Sequence, residues 1–186
     1  MSGYFMKKLF LLLQIAFISC SSTIHQKIVP IKNNYALSSS TGLTIKTLSF
    51  DASVYYIDEK NALKDTFGDN TANPAFLAIV RNASENLLDF PSFSIKHTRG
   101  TANEKIPFEL IQNFRIPEEY QPNSENKPLF IKYNFNFILP DDYAVFYLKL
   151  PSYIKPGKIT VSVKMPLTKG EKIVDFEYTQ TEYRTK

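Results

Sequence analysis

The residues with chemical reach are few, and their spacing sets them apart from one another. One cysteine, Cys20, and two histidines, His25 and His97, are the whole stock of thiol and imidazole in 186 residues. A lone thiol closes no internal disulfide, and three such residues spread over the chain lack the paired spacing of a zinc site. Neither histidine has a second ligand at helical or hairpin distance, and no HExxH run occurs. Both read as structural or solvent-exposed, because a catalytic imidazole needs positioned partners. No GxSxG elbow and no phosphate-cradling glycine motif is present, and only six glycines are available to build one. Carboxylates are the one catalytic material in quantity, as the adjacent pairs Asp58-Glu59, Glu118-Glu119 and Asp141-Asp142. A glycosidase sets two carboxyls roughly 5–9 Å apart across a cleft. Neighbours in a strand point to opposite faces, so each pair reads as a solvated loop. Asp65, Asp69 and Asn70 could offer oxygens to calcium, but they miss the EF-hand spacing and read as turn caps. The expectation is no enzyme, no metal and no cofactor.

The elements around these residues begin with a basic and apolar N-terminus. Lys7 and Lys8 precede Leu9-Phe10-Leu11-Leu12-Leu13-Gln14-Ile15-Ala16-Phe17-Ile18, followed by Ser19 and Cys20. This is the tripartite layout of a secretory signal. Ten residues of helix span roughly 15 Å, half of the about 30 Å of hydrocarbon in a bilayer. The run is therefore too short for a stable span. Met6 opens a Met-Lys-Lys start, so translation beginning at Met1 or at Met6 is left open.

Phe17-Ile18-Ser19-Cys20 resembles the lipobox of bacterial lipoproteins, with Phe17 where Leu is commoner. The resemblance implies cleavage between Ser19 and Cys20. Cys20 would then carry a diacylglyceryl thioether and an N-acyl chain such as palmitate. Burial of acyl chains contributes about 0.8 kcal/mol per CH₂, so two or more chains hold a protein durably on a bilayer. Ser21 rather than Asp follows the cysteine, which in this class favours the outer membrane. Loss of Lys7 and Lys8 changes the balance of 22 basic and 18 acidic residues to 20 and 18. No basic cluster of nucleic-acid type remains, so nucleic acid is not an expected partner.

Three segments follow from this reading: 1–19 as signal peptide, 20–42 as lipidated N-terminus and flexible tether, and 43–186 as the folded domain. Ser, Asn and Gly dominate 20–42, while Ile24, Ile28, Val29 and Ile31 interrupt it and suggest an edge strand. From Leu43 the period is two. Ile131, Tyr133, Phe135 and Phe137 alternate with Lys132, Asn134 and Asn136, and Lys158–Met165 repeats the pattern. Such alternation buries one face of an antiparallel sheet. Ala75–Val80 is apolar on both faces and reads as a central strand. Further strands are expected at 43–50, 53–57, 92–97, 105–111, 143–150 and 172–178, with at most a short helical turn in 109–119. With 44% hydrophobic and 22% charged residues, the chain can fill a core. The fold class expected is all-β, a two-layer antiparallel β-sandwich.

Phe76–Leu88 followed by Phe93-Ser94-Ile95, and the proline loop Leu139–Phe146, resemble units of bacterial Ig-like sandwich domains. That resemblance implies a fold and no activity. The tyrosines Tyr55, Tyr56, Tyr143, Tyr147, Tyr153, Tyr178 and Tyr183 could line a recognition surface or simply pack the sheets. The expected function is a membrane-anchored envelope lipoprotein. Its sandwich would serve as a non-catalytic interaction module for a protein partner in the envelope. The alternative is a small-ligand binder, taking an apolar or sugar ligand between the sheets or at a loop end.

Overall fold

The computed structural model describes residues 23–32, 37–38, 41–57, 74–111, 136–151 and 154–185. Thirteen strands run through them. In chain order they are β1 (Thr23–Pro30), β2 (Leu37–Ser38), β3 (Gly42–Lys46), β4 (Phe50–Ile57), β5 (Ala75–Asn82), β6 (Leu88–Asp89) and β7 (Ser92–Arg99). There follow β8 (Ala102–Lys105), β9 (Glu109–Ile111), β10 (Phe137–Ile138), β11 (Tyr143–Lys149), β12 (Gly157–Leu167) and β13 (Gly170–Thr185). The chain separates into a large unit, Ile28–Gln180, and a small one formed by Met1–Lys27 with Thr181–Lys186. In the small unit the Thr181 hydroxyl donates to the Lys27 carbonyl at 3.5 Å.

The large unit is an antiparallel β-sandwich. One sheet has the order β1-β13-β12-β7-β8 and the other β2-β3-β4-β5-β11-β9, with a two-stranded ribbon of β10 and β6 beside them. Alternation explains the inner faces. In β12, Ile159, Val161, Val163 and Met165 are buried, while Lys158, Thr160 and Lys164 lie on the other face. From the opposing sheet, Val54, Phe76, Ala78, Phe146 and Leu148 join the same core. Aromatic rings knit the two layers. Phe93 meets Phe146 at 5.0 Å between centroids, and Tyr178 meets Phe76 at 4.8 Å. Burying side chains of this size contributes about 1.5–3 kcal/mol each.

The double-sided strand falls where its pattern demands. β5 lies between β4 and β11 in the middle of the six-stranded sheet. Phe76, Ala78 and Val80 face the intersheet core, while Ala75 and Leu77 join a second cluster with Ile57, Val145 and Tyr147. The alternation of residues 131–137 lies mostly outside the described residues; its end, Phe137, pairs with Asp89 in the ribbon.

Three expectations are corrected. Residues 43–50 are not one strand: β3 ends at Lys46 and β4 starts at Phe50, with a turn built on the Thr47 hydroxyl between them. Residues 105–111 are not one strand. β8 ends at Lys105 on the edge of the five-stranded sheet, and β9 starts at Glu109 on the edge of the six-stranded one. Pro107 sits between them, and a residue without N–H cannot continue a ladder. Ile106 makes the last bond of the first sheet, its N–H donating to the Ile95 carbonyl at 2.9 Å. Residues 109–111, which belong both to that expected strand and to the stretch allowed a short helical turn at most, are strand; the rest of that stretch lies outside the described residues. Within 20–42, residues 23–30 form β1, at the edge of its sheet, and Ile28 enters the core at 4% exposure.

Candidate functional site

A dense polar construction lies at the end of β5. The turn residues Ala83-Ser84-Glu85-Asn86 end the apolar run of β5, leaving Asn82 as its last strand residue. Asn82 is fully buried, so each of its polar groups needs a partner. Its Nδ2 donates to the carbonyls of Asn86 at 2.7 Å and Ile138 at 3.0 Å. Its Oδ1 accepts from the Ser84 N–H at 2.9 Å and the Ser84 hydroxyl at 2.7 Å. Two donors and two lone pairs are all used. The backbone is equally engaged: Asn82 N–H donates to Asp142 O at 2.9 Å, and Asp141 N–H donates to Asn82 O at 3.1 Å. One step on, Ala83 N–H donates to Ser49 O at 3.0 Å. Three loops, 47–49, 83–87 and 139–142, are thus tied at one end of the six-stranded sheet.

Each loop is also closed on itself. The Thr47 hydroxyl donates to the Phe50 carbonyl at 2.6 Å and accepts from the Phe50 N–H at 3.0 Å, a hydroxyl-built turn. Asp142 N–H donates to the Leu139 carbonyl at 3.1 Å. Asp141 takes a left-handed backbone with φ of 58°, a conformation that Asp tolerates better than most residues. Its carboxylate receives Arg81 Nη2 at 3.0 Å, and Arg81 also lies 3.7 Å from Asp51. At the three tips stand Leu48, Leu87 and Leu139, exposed by 99%, 59% and 51%. Such an end can present side chains in a fixed arrangement.

The sequence-derived candidates fall elsewhere. Cys20 and Ser19, the proposed lipidation and cleavage residues, lie outside the described residues, as do Asp58-Glu59, Glu118-Glu119, Asp65, Asp69 and Asn70. His25 is in β1, with its side chain outside the described residues. His97 is buried, its Nε2 3.2 Å from the Pro156 carbonyl, and it packs beside Gly157. A Cβ at Gly157 would come to 2.5 Å from His97 Nε2, so glycine is the residue that lets β12 pass this ring. Asp141 and Asp142 are separated in role: one receives Arg81, while Oδ1 of the other accepts from the Tyr143 N–H at 2.9 Å. Among the described residues no group of three or more His, Cys, Asp or Glu could hold a metal ion.

The tyrosines do not form one patch. Tyr56 and Tyr178 belong to the intersheet core, whereas Tyr55, Tyr143 and Tyr147 lie with the second cluster on the opposite face. Tyr178 donates its hydroxyl to the Val54 carbonyl at 2.6 Å. Burial pushes the Tyr147 phenol up to about 12 and raises Tyr178 further, with Tyr55 adding to the latter. Tyr153 lies outside the described residues, as does the side chain of Tyr183.

No protein-family model, curated protein or solved structure matches the chain. Asn82 and the three leucines were not singled out by the sequence. Their signal was present in part: Leu87 and Leu139 border polar turn residues, where an apolar side chain has no strand face to enter. The Asn82 clamp depends on Ile138, a contact that local spacing cannot show.

Proposed function

We propose that the protein is a bacterial envelope lipoprotein, anchored through acylated Cys20, whose β-sandwich is a non-catalytic interaction module. The observation that carries this reading is the position of the sole cysteine, directly behind Lys7-Lys8, the apolar run and Ser19. Outer-membrane placement and kinship with Ig-like envelope domains are part of the same proposal. The β-sandwich supports it as a scaffold whose loops can be varied for contact without a catalytic pocket. The test is metabolic palmitate labelling with detergent-phase partitioning. The wild-type chain is expected to be labelled and to enter the detergent phase. Cys20→Ser should be unlabelled, and a lipoprotein signal peptidase inhibitor should accumulate the uncleaved precursor. A mature chain that stays in the aqueous phase with an unmodified Cys20 overturns the reading.

One observation favours the small-ligand alternative. Gln180 is 1% exposed, and among the described residues neither its Nε2 nor its Oε1 has a hydrogen-bond partner. It faces Gly157 across the ladder at the end of the inner face where His97 lies. A polar ligand group reaching this amide would satisfy it. Native mass spectrometry of the purified protein checks this. A bound small molecule lost in Gln180→Leu supports the alternative. A bare mass, with Gln180→Leu more stable than wild type, rejects it.

A further inference from the structure

We infer that the end of the sandwich formed by loops 47–49, 83–87 and 139–142 is the docking surface of the module. Its partner is a protein presenting an apolar surface rimmed by Lys or Arg. The inference deepens the proposed interaction role and rests on it, but not on the lipid anchor.

Single exposed apolar residues are ordinary on any surface. These three are different in their placement. Leu48, Leu87 and Leu139 stand on three loops that share Asn82 as a common clamp, through its bonds to Asn86, Ile138 and Asp142 and through Ala83 to Ser49. Nothing in the sheet geometry requires apolar tips there, because turns of this kind are normally polar. The clamp is a fully buried asparagine with both amide donors and both lone pairs engaged, so the loops it ties are held in position before any contact. Loops fixed before contact spare the ordering cost of binding, so a small apolar surface can bind effectively. Among the described residues the other exposed large apolar side chains, Leu110 and Ile173, lie on β9 and β13 rather than on these loops.

Charge selects the class of partner. The three loops contain Glu85, Asp141 and Asp142 and no Lys or Arg. Arg81 contacts both Asp141 and Asp51, and Lys46 lies across the ladder from Asp51; among the described residues at this end, Asp51, Glu85, Asp141 and Asp142 outnumber these two cations, so the end is acidic by formal charge. Surfaces that insert into membranes combine apolar residues with Lys and Arg, because the headgroups are anionic. An acidic rim repels such a bilayer and would also repel a second copy of itself. A protein surface with basic residues around an apolar centre is complementary to it.

The test places a photo-reactive benzophenone residue at Leu48 or Leu139 in the full, processed chain, expressed in its own cells and irradiated. Thr160, on the outer face of the five-stranded sheet, is the control site. The expected result is one protein adduct of the same mass from both leucine sites and none from Thr160. The cross-linked peptide of that partner should be apolar with flanking Lys or Arg. Leu87→Ser should lower the adduct yield at least tenfold and Glu85→Lys severalfold. Ile173→Ser should leave it unchanged, and all variants should keep the wild-type melting curve. Adducts only to lipid, an adduct of two copies of this chain, or no adduct overturns the inference. The anchor is scored separately by the partitioning of the same sample, so adduct formation from a chain lacking acyl groups rejects the lipoprotein reading and leaves the docking surface standing.

Discussion

Asn82 donates its Nδ2 to the Ile138 carbonyl at 3.0 Å, across 56 positions of sequence. This bond joins the end of β5 to the ribbon that leads into β11. Asn82→Ala removes the Nδ2 donor to the buried Ile138 carbonyl and the Oδ1 acceptor of Ser84, while the Asn86 carbonyl keeps the Ser84 hydroxyl at 3.2 Å. Leaving buried acceptors unpaired costs about 1–3 kcal/mol, so denaturant unfolding should show a lower midpoint with an unchanged slope. Asn82→Asp tests the polarity of the clamp. An ionised carboxylate can still accept from Ser84 but would face two carbonyls, which raises its pKa above the unfolded value near 3.9. The variant should therefore lie closest to wild type in acid and lose stability as pH rises through the raised pKa. A flat difference in stability between pH 4 and pH 8 (an illustrative range around that reference) would falsify this assignment of donors.

A buried polar link of similar kind joins the two layers, from Tyr178 on β13 to the Val54 carbonyl on β4. Tyr178→Phe keeps the ring against Phe76 but deletes the donor. The expected loss is about 1–3 kcal/mol, since the carbonyl stays buried. Calorimetric melting checks this, with Tyr178→Leu costing more because the aromatic contact goes as well.

On the opposite surface, β7 and β8 place Lys96 directly across from Lys105, both exposed. Like charges opposite each other on a sheet are destabilising by a few tenths of a kcal/mol to about 1. Lys105→Glu should raise the melting temperature at low salt, and the gain should shrink as salt screens the pair. Equal gains at low and high salt would point to another cause.

The sheet strands were legible because alternation is a local property. Lys158–Met165 and Ala75–Val80 each state in their own residues which faces are buried. The break at Pro107 was present in the sequence as well, but its consequence was not. A proline says that a ladder stops; it does not say that the next residues join a different sheet. The two-residue strands of the ribbon carry too few residues to show a period. Asn82 gave the weakest signal of all, since an asparagine before Ala83-Ser84 reads as a turn residue whether exposed or buried. Its role is set by a carbonyl far away in sequence. The leucines at the tips are visible as residues, but their sharing of one end depends on the same long-range bonds.

Tyr147 offers a titration that reports on the second cluster. It lies on β11 with Leu77 and Val145, and burial pushes its phenol up to about 12 from the ordinary value of 10. The cause is desolvation, which disfavours the phenolate while leaving the neutral ring in place. Because the folded pKa is raised, this group's contribution to stability is complete below about pH 10, where both states are neutral. It declines as pH rises from there through the folded value. Phenolate absorbance should show a step at about 12 that is missing in Tyr147→Phe, with Tyr178 ionising only on alkaline unfolding. Tyr147→Phe should accordingly lose less stability than wild type between neutral and alkaline pH. If the step near 12 survives the substitution, the buried phenol belongs to another tyrosine and the solvent exclusion of this face is not what the packing describes.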